Sequence, residues 1–181
     1  MSYAPELIVR DEVASHLSAD DSAWLQTLLN RLYDVLGCPV ESEATVVITD
    51  DQEIQSLNRE WRNIDEPTDV LSFAYQEASD GFLLPELLGD VVISLPTATR
   101  YAQDAQHAER VTKGQATAQP WSIQLELAFL LAHGFLHLLG FDHEEAEEER
   151  EMRAAEQVIF EALIDPQPPQ RRETMLRPSD F

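Results

Sequence analysis

Cysteine is all but missing from this chain. Cys38 stands alone among 181 residues, so no intramolecular disulfide can form and packing must hold the fold. Lysine is equally scarce: of 12 basic residues only Lys113 is a lysine, against 34 acidic ones, and the net charge is −22. That balance excludes the broad, sequence-indifferent grip on DNA or RNA that clustered Lys and Arg provide. A long hydrophobic run is lacking too. The most apolar stretch, Leu125 to Leu139, is interrupted by Glu126, His133 and His137 and is too short to cross a bilayer. The opening "MSYAPELIVRDEV" has neither a basic nor an apolar leader region, so a cytoplasmic protein without membrane contact is expected.

What is present fits one soluble domain: 44% apolar residues and 8% aromatics over a length that supports a single core. Strands are expected over 6–13, 44–50, 69–75 and 89–95. Helices are expected over 19–36, from Asp50 (with Glu53 closing a capping box), over 96–111 with Pro96 at the first helical position, over the histidine segment, and from about 144 to 163. The stretches 76–88 and 112–120 read as loops, and "EEAEEERE" (144–151) as a solvated helix face. This predicts a single α+β domain over 1–164, with a small mixed sheet flanked by about five helices, one of them a central buried helix. The segment 165–181, "DPQPPQRRETMLRPSDF", is proline-rich and reads as a poorly ordered tail.

The chemistry concentrates in "LAHGFLHLLGFDH", residues 131–143, which holds three of the five histidines. His133 and His137 are four apart, which puts both imidazoles on one helical face. Six further helical residues would carry His143 about 9 Å away, too far to share an ion bound at about 2.0–2.1 Å. Gly140 is placed to stop the helix in a left-handed turn, with Phe141 supplying the apolar contact that follows such turns. Three nearly buried imidazoles without partners are costly, and one shared metal satisfies them together. Three nitrogen ligands leave a tetrahedral zinc one open position, as catalytic sites do. His16 and His107 read as core histidines satisfied locally.

The spacing H-x3-H-x2-G-x2-H also matches the metzincin proteases, except that the glutamate serving them as general base is replaced by Gly134. Peptide hydrolysis is thereby disfavoured. Taken together, "HGFLHLLGFDHEE" (133–145), "LNREWRNIDEPTDVLSF" (57–73) and "LGDVVIS" (88–94) resemble the YbeY family of metal-dependent endoribonucleases, over roughly residues 40–160. The resemblance implies zinc on His133, His137 and His143, and cleavage of single-stranded RNA. It also implies a role in maturation of the small-subunit (16S) rRNA 3′ end and in ribosome quality control, with the small ribosomal subunit and assembly factors as partners. The functional arginine of the family falls on Arg62. A guanidinium there can bind two non-bridging phosphate oxygens as charge builds on them.

Other residues of these motifs are weaker candidates. Arg59 precedes Arg62 on the same helix, Thr68 and Ser72 flank or occupy a strand that lines the cleft, and Asp142 is placed to orient a ligand imidazole. Between Arg59 and Lys113 five basic residues face ten acidic ones, so an RNA enzyme must gather its few arginines at one cleft. Two other readings compete: a metallohydrolase of another substrate class, and a ribosome-assembly binding factor whose metal is structural, closed by a fourth ligand such as Asp142 or Cys38.

Overall fold

The computed structural model describes residues 5–75, 87–112, 120–167 and 169–181. Much of the two long loops, and Lys113, lie outside them. The chain runs β1 (Glu6–Val9), α1 (Asp11–Ala14), α2 (Ala19–Leu36), β2 (Glu43–Thr49), α3 (Asp51–Arg62), β3 (Val70–Ala74), β4 (Leu87–Ser94), α4 (Leu95–Ala102), α5 (Ala105–Thr112), α6 (Ile123–Leu138) and α7 (Ala146–Ile164). Four strands form one mixed sheet in the order β1-β2-β4-β3. The first three are mutually parallel, and β3 runs antiparallel to β4 at the edge.

Alternation along the strands decides what each face meets. Val46, Ile48, Val91 and Ile93 face the main core of α2, α6 and α7, whereas Val47, Val92 and Leu71 face Ile54 of α3. The sheet is therefore covered on both sides. Helix α6 is buried almost all round, from Leu125 to Leu138, as a helix with no polar stripe must be.

The structure has the expected α+β architecture, and it differs from the expected elements in four places. The first strand ends at Val9, and 11–14 form a helical turn that leaves His16 exposed rather than in the core. Asp50 caps α3 through the Gln52 and Glu53 amides. Glu53 does not return the bond; its carboxylate pairs with Arg10 and Thr49 instead. The helix expected over 96–111 is two helices, because Asp104 starts a new one by accepting the Gln106 amide, so the described residues hold seven α-helices rather than about five.

The fourth difference is the tail. Read from its prolines as loose, it instead caps α2: the Arg172 and Leu176 amides donate to the Asp34 and Leu36 carbonyls at 2.9 Å each, and Arg171 bonds Asp34 and the Cys38 carbonyl. A helix end leaves its last carbonyls without partners, and the tail supplies them. Leu176 is 2% exposed. Leu176→Ala should cost about 2–4 kcal/mol in urea unfolding; an unchanged midpoint would show that the tail adds nothing to the fold.

Candidate metal centre

Helix α6 ends in the turn that the histidines require. Gly140 takes φ +85° and its amide donates to the His137 carbonyl, while the Phe141 amide reaches back to Leu136, both at 3.0 Å. These are the two bonds of a Schellman stop, and Phe141, 2% exposed, is its apolar anchor. The chain reverses and brings His143 back. The donor atoms of His133, His137 and His143 all lie within 4.8 Å of one another.

The donor set fits a transition metal. Nε2 of His133 and Nε2 of His137 are 3.2 Å apart, close to the roughly 3.3 Å expected of two nitrogens on one tetrahedral ion. Nδ1 of His133 lies 2.6 Å from Glu156 on α7. A carboxylate there fixes the tautomer and leaves Nε2 free, the usual support of a ligand imidazole. Burial, and then the neighbouring His133 and His143 rings, push His137 down to about 4. It is thus neutral near pH 7, as a ligand must be.

Asp142 does not orient an imidazole; it accepts the His143 amide at 2.7 Å and so fixes the backbone of the turn. Glu156 takes the role that Asp142 was expected to fill. Cys38 sits in the core under the tail, with burial pushing its thiol up to about 12. Neither joins the group. Among the described residues the donor cluster consists of the three histidines, which leaves room for substrate or water.

His133 and His143 of the trio line a cavity of about 550 Å³, together with Arg62, Thr68, Asp69, Tyr101, His107 and Arg110. Arg62 is the last residue of α3. Asn63 follows in the left-handed conformation, and the side chains of Gln55 and Asn58 hold the Asp65 and Glu66 carbonyls, so the loop folds back on its own helix and Arg62 is left facing the cavity. Asp65 pairs with Arg59 and not with Arg62, at 3.5 Å, which takes Arg59 out of the cleft. Thr68 lines the cavity and donates to Asp69. Ser72 does not line it; its hydroxyl lies under α6, beside Gly134.

Charge is distributed so that two of the three arginines lining the cleft stay free of carboxylates. Arg10, Arg59, Arg100, Arg150, Arg153, Arg171 and Arg172 each pair with a carboxylate, and Arg31 donates to backbone carbonyls. Among the described residues Arg62, Arg110 and Arg177 have no such partner, and the first two line the cavity. A protein of net charge −22 can therefore present unneutralised guanidinium groups at one place.

Gly134 is a packing glycine. A Cβ there would come within 2.7 Å of Val91 and 3.2 Å of the Ser72 hydroxyl, so this position points into the sheet, away from the cavity. A general base cannot be housed here, in agreement with the loss of the protease glutamate.

An α+β frame that gathers three imidazoles at the edge of a cavity with free arginines in its lining has the arrangement of a metal-dependent hydrolase acting on an anionic substrate. The comparisons with known proteins place it more closely: the chain belongs to the family described as Endoribonuclease YbeY, whose sequence model matches residues 9–164. Endoribonuclease YbeY of Shouchella clausii is 39% identical over 154 residues, covering 81% of this chain and 88% of its own. That of Heliobacterium modesticaldum is 39% identical over 169 residues, covering 86% and 93%. That of Syntrophotalea carbinolica is 43% identical over 138 residues, covering 75% and 82%. The solution structure of TM1509 from Thermotoga maritima shares the fold, at 21% identity and a TM-score of 0.50 over 92% of this chain and 99% of that one. Among the described residues no helix is long and apolar enough to cross a membrane.

Proposed function

We propose that this chain is a zinc-dependent, single-strand-specific endoribonuclease of the cytoplasm. It acts in maturation of the small-subunit 16S rRNA 3′ end and in ribosome quality control, with the small subunit and its assembly factors as partners. Family membership supports the reaction class. The observation that carries the reading to this chain is that two histidines of the trio, His133 and His143, line one cavity with the unpaired Arg62.

His133, His137 and His143 would hold a metal, which when bound would supply Lewis acidity to the reaction. The remaining work belongs to side chains. Arg62 binds the non-bridging oxygens and stabilises the charge that grows on them. Glu156 holds the His133 ring in its ligand orientation. Arg110, in the lining of the same cavity, suits a neighbouring phosphate of the same strand. The cavity is in the size range of small-molecule sites and suits one flexible segment of strand.

The test is cleavage of one RNA sequence, single-stranded and annealed to its complement, by zinc-loaded protein, with the matching DNA as control. Cutting of the single strand alone is expected; equal cutting of the duplex or the DNA would sink the substrate assignment. Glu156→Gln should weaken zinc binding about 10- to 100-fold in a chelator competition. Unchanged affinity would mean that Glu156 does not support the ligand.

A further inference from the structure

We propose that His107, held by Glu126, is the catalytic group that donates a proton to the leaving oxygen during RNA cleavage. The inference rests on the endoribonuclease reading and assigns the general acid.

Glu126 is 0% exposed on a helix whose other buried positions are apolar. Replacing a buried carboxylate with a well-packed apolar side chain is often neutral or stabilising, so its retention calls for a purpose. It accepts two bonds: Trp121 Nε1 at 2.7 Å on one oxygen, and His107 Nε2 at 3.0 Å on the other. Burial pushes the Glu126 carboxyl up, while Trp121 and His107 pull it down. Tyr101 stacks on the His107 ring at 4.5 Å and 17°, which clamps it from a second direction.

With Nε2 committed to Glu126, Nδ1 is the nitrogen available for proton exchange. A carboxylate that fixes the tautomer and orientation of an imidazole is the standard support of an acid–base histidine. His107 and Tyr101 line the same cavity as His133, His143 and Arg62. Glu126 and His133 are seven residues apart on α6, two turns on one face, so Glu126 lies about 10 Å along the helix from His133.

The charged groups around His107 are consistent with the role. Glu126 meets it from α6, Tyr101 from α4, and Arg110 lies one turn further on α5. The same cavity is lined by Arg62 of α3 and Asp69 before β3, and α7 contributes Glu149, Glu156 and Arg153. In the step itself, a P–O bond forms to the attacking oxygen, which yields its proton to solvent, and the P–O bond to the leaving oxygen breaks. That oxygen takes a proton from His107 Nδ1, which solvent then restores. No electrons are transferred.

A substrate carrying sulfur in place of the leaving oxygen separates this role from a structural one, because a thiolate leaves without protonation. Rates against pH are measured for zinc-loaded wild type and His107→Gln on both substrates, with zinc content, thermal unfolding and affinity for a non-cleavable analogue alongside. His107→Gln should lose about 10²–10³-fold on the oxygen substrate and less than about tenfold on the sulfur one, with metal, stability and affinity retained. In the wild type, the alkaline limb seen with oxygen should vanish with sulfur, a readout that does not depend on the variant folding. Equal losses on both substrates by a stable variant, or a wild-type limb unaltered by sulfur, would overturn the proposal and leave the endoribonuclease reading intact. No cleavage of either substrate by wild type would overturn both.

Discussion

His133→Ala should give a folded protein that no longer retains stoichiometric zinc and cleaves RNA at least about 10³-fold more slowly, since a Lewis acid supplies several kcal/mol of transition-state stabilisation. Three features of the structure direct this expectation to one residue. His133 shares a 3.2 Å nitrogen–nitrogen approach with His137, receives the only carboxylate support in the trio among the described residues, and lines the cavity. Its side chain is 23% exposed and that of Glu156 is 16%, so the hole left by truncation hydrates and the fold survives. Metal analysis of purified protein and cleavage of a single-stranded RNA are the measurements. A variant that binds zinc normally would remove His133 from the ligand set; one that lacks zinc yet cuts as fast as wild type would detach the reaction from the metal.

Arg62→Ala should separate catalysis from both metal and stability. Because Arg62 is exposed and has no partner among the described residues, its removal breaks no ion pair, and stability should change by less than about 0.5 kcal/mol. Its loss should nevertheless slow cleavage about 10²–10³-fold, the usual effect of removing one preorganised donor to a developing charge. Zinc content stays at the wild-type level. Arg62→Lys restores the charge without the two-pronged geometry and should recover only part of the rate. If Arg62→Ala cuts within about threefold of wild type, the phosphate is held elsewhere, with Arg110 as the next group to replace.

Local patterns carried most of the site. The 133–137 spacing, the stop at Gly140 and the return of His143 follow from helix geometry and from the one residue type that turns left-handed without strain. The end of α3 at Arg62 was legible from its motif. What escaped depends on contacts between distant segments. Glu156 comes from another helix, and only the packing of α7 on α6 decides which of its many glutamates meets His133. Its signal was an acidic residue beside the apolar stripe Met152, Ala155, Ile159 and Leu163. The break between α4 and α5 contains neither proline nor glycine, so periodicity ran through it and the capping potential of Asp104 was overlooked. The tail was judged by composition, whereas its order comes from the carbonyls of α2, more than a hundred residues earlier. Arg59 is the weaker candidate of the two arginines on that helix, and the fold of the 63–69 loop separates it from Arg62 by giving it Asp65.

The glycine that seats α6 against Val91 also bears on how this catalytic site can diverge. Two of the four glycine codons differ from a glutamate codon by a single base, so the protease-type motif is genetically near. The barrier is not genetic but steric: a side chain at 134 would drive the helix off the sheet before it could meet a substrate. Descendants of this protein are therefore free to change what enters the cavity, by altering the walls at Arg62, His107 or Arg110, far more readily than they can add a base beside the first histidine.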